Sequence, residues 1–127
     1  MAGFLIVLRC QYDHIARYYD STEHDSGRVY NNKTVYTKMV QVDKNANATQ
    51  GTVDLTSTGI ANMVGLDGFI TAPNLALVCG LTYMQSTTHF YTVDYVTSSK
   101  LLRVLCGEGN SKTYACTAYV TIYYTKS

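Results

Sequence analysis

The chain is 127 residues long and 46% hydrophobic, yet only 15% charged, with a formal net charge of +1. That size and apolar content suit one domain with a core of its own and exclude a disordered chain. The near-neutral balance, with no basic stripe, argues against nucleic-acid binding. The charged fraction also lies well below the roughly 25% usual in soluble domains. A surface built instead from Thr, Ser, Asn and Tyr points to contact with another subunit or a ligand.

Residues 1–17 differ from the rest of the chain and are expected to form a stalk or connecting segment, with residues 18–127 as the domain. The apolar opening "AGFLIVL" is too short to span a bilayer, and no basic residue or A-x-A-like site marks it as a signal peptide. No membrane insertion is expected. Leu5, Leu8, Tyr12, Ile15 and Tyr19 recur at alternating spacings of three and four, which suits a helix, while "GFLIVLR" also suits a strand. Both readings stay open. The polar stretch "DHIARYYDSTEHD" holds His14, His24, Asp13, Asp20, Glu23 and Asp25, but in no zinc-like spacing, and it reads as a solvated linker.

From Arg28 onward, period-two segments between turn clusters predict an all-β chain. "GRVYNNKTVYTKMVQV" is a tight hairpin around Asn31-Asn32-Lys33, because asparagine tolerates positive φ. "DKNANATQG" is a loop and "TVDL" a short strand. Gly65 and Gly68 rule out a long helix in "TSTGIANMVGLDGFITA", which ends in a strand before Pro73. Gly80 marks a bulge within "NLALVCGLTYM". "HFYTVDYV", "LLRVLC" and the final strand come next, joined by "QSTT", "TSSK" and "GEGNS" as successive hairpin loops. In the last strand Tyr114, Cys116, Ala118, Val120, Ile122 and Tyr124 share the core face. Thr117, Tyr119, Thr121 and Tyr123 share the other, and are the candidates for an oligomer interface.

Cys10, Cys79, Cys106 and Cys116 show no CxxC and no paired zinc spacing, and read as small buried hydrophobes in a reducing cytoplasm. A hairpin of residues 101–106 with residues 112–124 would keep Cys106 and Cys116 too far apart along the ladder to bond. No nucleophile elbow or phosphate loop is present, and Glu23 and Glu108 are the only glutamates. No enzyme activity, metal or cofactor is expected. The twelve tyrosines suit strands and interfaces. Near the loops, Tyr83, Gln85, His89, Tyr91, Tyr95 and Asn110 are the candidates for touching a receptor.

The motif order resembles the C-terminal domain of phage and prophage tail fibre and baseplate proteins from Gram-positive hosts. Tyr19, Ser21, Thr22 and Glu23 are similar to that family's "YST-E" stretch. Gly27, Lys33, Val35, Tyr36 and Lys38 follow its "G-W-x-(D/N)-G-K-x-(V/I)-Y-x-K". "TSTGIANMVGLDGFI" is similar to its "HGI-N" segment, with Thr58 in place of the histidine. Ala118, Tyr119, Val120, Thr121, Ile122, Tyr124, Thr125 and Lys126 match its closing "AYVTIEYTK". Val29 or Tyr30 stands where the family has tryptophan, and Asn32 where it has the turn glycine.

The resemblance implies an antiparallel, jelly-roll-like β-sandwich, commonly trimeric, made in the host cytoplasm and carried at the tip of a virion appendage. Its implied partners are copies of itself, other tail proteins and a host-surface glycan. Two other readings stand beside it. One is a monomeric carbohydrate-binding module of a secreted bacterial protein, and the other a purely structural decoration or joining subunit of a virion.

Overall fold

The structure, a computed structural model, describes residues 20–73 and 80–127. Eight strands succeed one another: β1 His24–Tyr30, β2 Lys33–Lys44, β3 Gln50–Asp54, β4 Ile60–Thr71, β5 Thr82–Ser86, β6 His89–Val96, β7 Leu101–Cys106 and β8 Cys116–Lys126. They pair antiparallel in two four-stranded sheets, ordered β1-β2-β8-β4 and β3-β7-β6-β5. The chain is therefore the expected all-β sandwich. The chain crosses between the sheets four times, from β2 to β3, β3 to β4, β4 to β5 and β7 to β8, which sets β2 beside β8 in one sheet and β3 beside β7 in the other.

Local chemistry accounts for the turns. Asn31 and Asn32 both hold positive φ, 50° and 61°, so the β1–β2 hairpin closes on a two-residue turn matched to strand twist. Lys100, at φ 57°, closes the β6–β7 turn and donates its N–H to the Val96 carbonyl at 2.8 Å. Alternation then sorts the faces. Val40, Val42, Ile70, Leu102, Val104, Ala118, Val120, Ile122 and Tyr124 fill the space between the sheets.

One glycine is required sterically. Gly68 in β4 sits at φ 141°, and a Cβ there would lie 1.9 Å from the Tyr119 carbonyl oxygen of β8. The Gly68→Ala variant should lose about 2–4 kcal/mol, since backbone must move at a conformation that L-residues avoid. Urea unfolding of both proteins checks this, with an unchanged midpoint as the contrary result.

Several expectations need correction. Residues 101–106 and 112–124 do not form a hairpin: β7 and β8 belong to opposite sheets, and residues 107–115 cross between them through a helical turn, Asn110–Thr113. The ladder argument separating Cys106 from Cys116 therefore falls, although both are free, buried thiols. Tyr114 precedes β8 and is 41% exposed, outside the core. The strand in "TSTGIANMVGLDGFITA" is longer than expected, because β4 absorbs Gly65 next to an irregularity in its pairing with β8, takes Gly68 in regular register and runs for 12 residues. Gly80 lies in a bend ahead of β5, at φ 127°, and not within a strand. Residues 1–17, with their helix-or-strand question, and Cys10 and Cys79 lie outside the described residues.

Candidate functional site

The candidate contact residues divide between the two ends of the sandwich. β6 runs from the "QSTT" turn to the "TSSK" turn, so its eight residues separate these loops by roughly 25 Å. The three loops "QSTT", "TSSK" and "GEGNS" therefore do not all lie at one end of the sandwich. "QSTT" and "GEGNS" do meet, together with residues 45–49. The Gly109 N–H donates to the Thr88 carbonyl at 2.7 Å and the Gly107 N–H to the Phe90 carbonyl at 3.1 Å. Asn47 N–H donates to the Lys112 carbonyl at 2.8 Å, tying the third loop to the second. Ser111, fully buried, donates its hydroxyl to the Gly107 carbonyl at 3.1 Å.

Tyr83, Gln85 and His89 lie at this knitted end, and Asn110 opens its helical turn. Gln85 is exposed. The His89 ring is partly buried between Tyr83 and Tyr91, edge-on to each at 5.8 and 6.2 Å, and its Nδ1 is buried without a hydrogen-bond partner. Tyr91 is a correction: it is fully buried, its hydroxyl donates to the Ser111 carbonyl at 3.4 Å, and it serves as core under the loops. Its inward phase on β6, shared with Val93, is the sequence signal that places it there. Tyr95 is on the same strand at the far end, lining a cleft of about 420 Å³ with Met63, Leu66 and Val93.

Two polar clusters go beyond the expected contact residues. At the loop end, Lys44 is 1% exposed because the even positions of β2 face the core. Its Nζ donates to the carbonyls of Asn45, Ala48 and Lys112 at 3.0, 2.9 and 3.3 Å. Cys106 Sγ donates to the same Ala48 carbonyl at 3.4 Å. Burial pushes the Cys106 thiol up and the Cys116 thiol up to about 11, so both stay protonated at neutral pH.

At the other cluster the Tyr124 hydroxyl donates to one oxygen of Glu23, and Lys126 Nζ donates to the second at 2.7 Å. Lys126 also stands 5.1 Å from the centre of the Tyr36 ring. Hydrogen bonds from Lys126 and then Tyr124 hold the Glu23 carboxyl below its usual range, while burial raises the Tyr124 phenol. Lys38 Nζ donates to Thr58 Oγ1 at 3.2 Å nearby.

Thr117, Tyr119, Thr121 and Tyr123 do share the outward face of β8, as their spacing requires. All four are half-buried, and Phe69, stacked on Tyr119 with centroids 5.0 Å apart, is only 1% exposed. Arg28 lies over the Tyr123 ring at 4.9 Å. Among the described residues no group of three or more His, Cys, Asp or Glu side chains is arranged to hold a metal, and no helix is long and apolar enough to cross a membrane.

No known protein family, curated protein or solved structure matches this chain.

Proposed function

We propose that this domain is an attachment module of a phage tail fibre or baseplate, a self-associating β-sandwich that recognises the host surface without catalysis. The observation that carries the reading is the meeting of four separated stretches that resemble that family, in two bonded pairs. Glu23 of "YDSTE" is bonded to Tyr124 and Lys126 of "AYVTIYYTK". Lys38, which ends the second stretch, is bonded to Thr58 of the third. Residues far apart in sequence thus form one structural cluster, which is what a shared fold would require of shared motifs. The knitted loops at the opposite end offer the exposed, hydrogen-bonding surface that recognition of a wall glycan needs, and repetition in an oligomer multiplies weak single sites.

The test is adsorption of the fluorescently labelled chain to a panel of Gram-positive cells, competed with their isolated wall polysaccharides. Saturable binding to some strains is expected. Placing lysine at both Gln85 and Thr87, two exposed residues of the "QSTT" segment, should weaken it at least about tenfold with an unchanged melting temperature. An oligomer that adsorbs to no strain would instead make the protein a purely structural subunit. A monomer that binds isolated glycan would make it a carbohydrate-binding module.

A further inference from the structure

Phe69 is buried on a face where strand order alone would leave it open. It belongs to β4, the edge strand of β1-β2-β8-β4, and shares the outward phase of Tyr119. Tyr119 stacks on one side of its ring, yet Phe69 is only 1% exposed. The outer face of an antiparallel sheet meets solvent unless further chain lies over it. Register shows how far that cover extends. Gln41, Tyr119 and Phe69 form one row across β2, β8 and β4, and Met39 stands in the next row beside Thr121 and Asp67. Each of the four, Gln41, Tyr119, Phe69 and Met39, is engaged further, besides the strand pairing and the Phe69–Tyr119 stack.

We infer that the chain's own N-terminal segment, residues 1–19, docks across this row. The chain enters beside it: the Met39 N–H donates to the Asp20 carbonyl at 3.0 Å, on the side of β2 that β1 leaves unpaired. From there Phe69 is two strand spacings away, about 10 Å. Residues 1–19 reach that far even when coiled as a helix, which would be about 28 Å long. The segment also has a matching surface. Leu5, Leu8, Tyr12, Ile15 and Tyr19 give it an apolar side. Arg9 and Arg17 suit Asp43 and Asp67, exposed acids that flank the row on β2 and β4. Residues 74–79 must link β4 to β5 in the opposite sheet, which leads them away from Gln41 and Met39. A second copy is not needed, since Phe69 is already buried within one chain. Docking withdraws Tyr119 from the candidate oligomer interface, and it depends neither on host attachment nor on self-association.

Trypsin tests the docking on the full chain, because Arg9 and Arg17 put two cleavage sites in the segment. Mass spectrometry follows each cut under native conditions, with a synthetic peptide of residues 1–24 as the undocked reference. Cleavage in the chain is expected to be at least about tenfold slower than in the peptide, since its rate tracks the undocked fraction. Two double variants should each remove most of that protection: Phe69→Ala with Tyr119→Thr on the face, and Leu8→Asp with Ile15→Asp on the segment. Combining all four substitutions should release the segment no further, because both pairs break one contact. Circular dichroism shows that each variant is folded, and Tyr119→Thr alone serves if the face pair is not. Wild-type cleavage as fast as in the peptide overturns the inference. So does protection that survives the face variant in a folded chain, which would put the segment elsewhere. Protection that disappears on dilution, with a sedimenting mass above 14.1 kDa, overturns it too, because the segment would then come from another copy.

Discussion

Replacing Lys44 with alanine is expected to cost about 3–5 kcal/mol, among the largest losses any single substitution in this chain should cause. The side chain fills the loop end of the core, and its ammonium supplies one donor to each of three carbonyls. Two separate terms are lost. Truncation leaves a cavity where the four-carbon stem packed. It also strips a charge-assisted donor from residues 45–49 and from the crossover at Lys112. Methionine separates the terms, because it keeps most of the volume and loses only the donors. Each carbonyl retains one other partner: Ala48 N–H for Asn45, Cys106 Sγ for Ala48 and Asn47 N–H for Lys112. Lys44→Met should therefore cost only about 1–3 kcal/mol, helped by removal of a buried charge that no carboxylate among the described residues pairs with. Denaturant unfolding of both variants, with hydrogen exchange at residues 45–49, measures the difference. Equal losses would mean that the donors alone matter and the cavity adds nothing.

The second large effect is expected at Glu23 and depends on pH. Its carboxyl is held below its usual range in the folded chain and returns to about 4.3 on unfolding. The stability it contributes is therefore fully present above that value and is lost as pH falls through the lower, folded one. At neutral pH, Glu23→Ala should cost about 2–3 kcal/mol, chiefly because the hydroxyl of buried Tyr124 loses its acceptor. Glu23→Gln should cost less, since the amide oxygen still accepts from Tyr124. It should also flatten the acid limb of the stability curve. Asp20 and Asp54 carboxyls are lowered as well, by bonds from Thr22 and His24 and from Thr56, but they are present in both proteins. The difference between wild type and Glu23→Gln, tracked by thermal melts from neutral pH to pH about 3, isolates Glu23. Parallel curves would mean that the carboxylate is no more stabilising folded than unfolded.

These two residues also show how far the candidate sites are legible in the sequence. Glu23 stands out as part of a resembling motif and as one acid in a polar linker, but its partners are 101 and 103 residues away. No local pattern announces such a pairing. Lys44 reads as part of a loop because its neighbours are polar, although the period-two phase of Val40 and Val42 points it inward. Composition outweighs periodicity at a strand end, where only a few residues carry the phase. Tyr91 errs in the opposite direction: the nearby loop suggests a contact, while its phase on β6 makes it core.

The alternation of residues along each strand determined by itself that the chain is all-β. It also determined where Asn31-Asn32 turns and which side chains of β8 face inward. Those properties are local, set by side-chain period and by the φ that asparagine accepts. Which strand pairs with which was decided only in three dimensions. A period of two tells a residue its face but not its neighbour, so "LLRVLC" and the closing strand look like one hairpin until the crossover puts them in opposite sheets. That same assignment decided which side chains of the two sheets meet in the core. Burial depends on what the rest of the chain brings against a strand, and nothing within the strand records it.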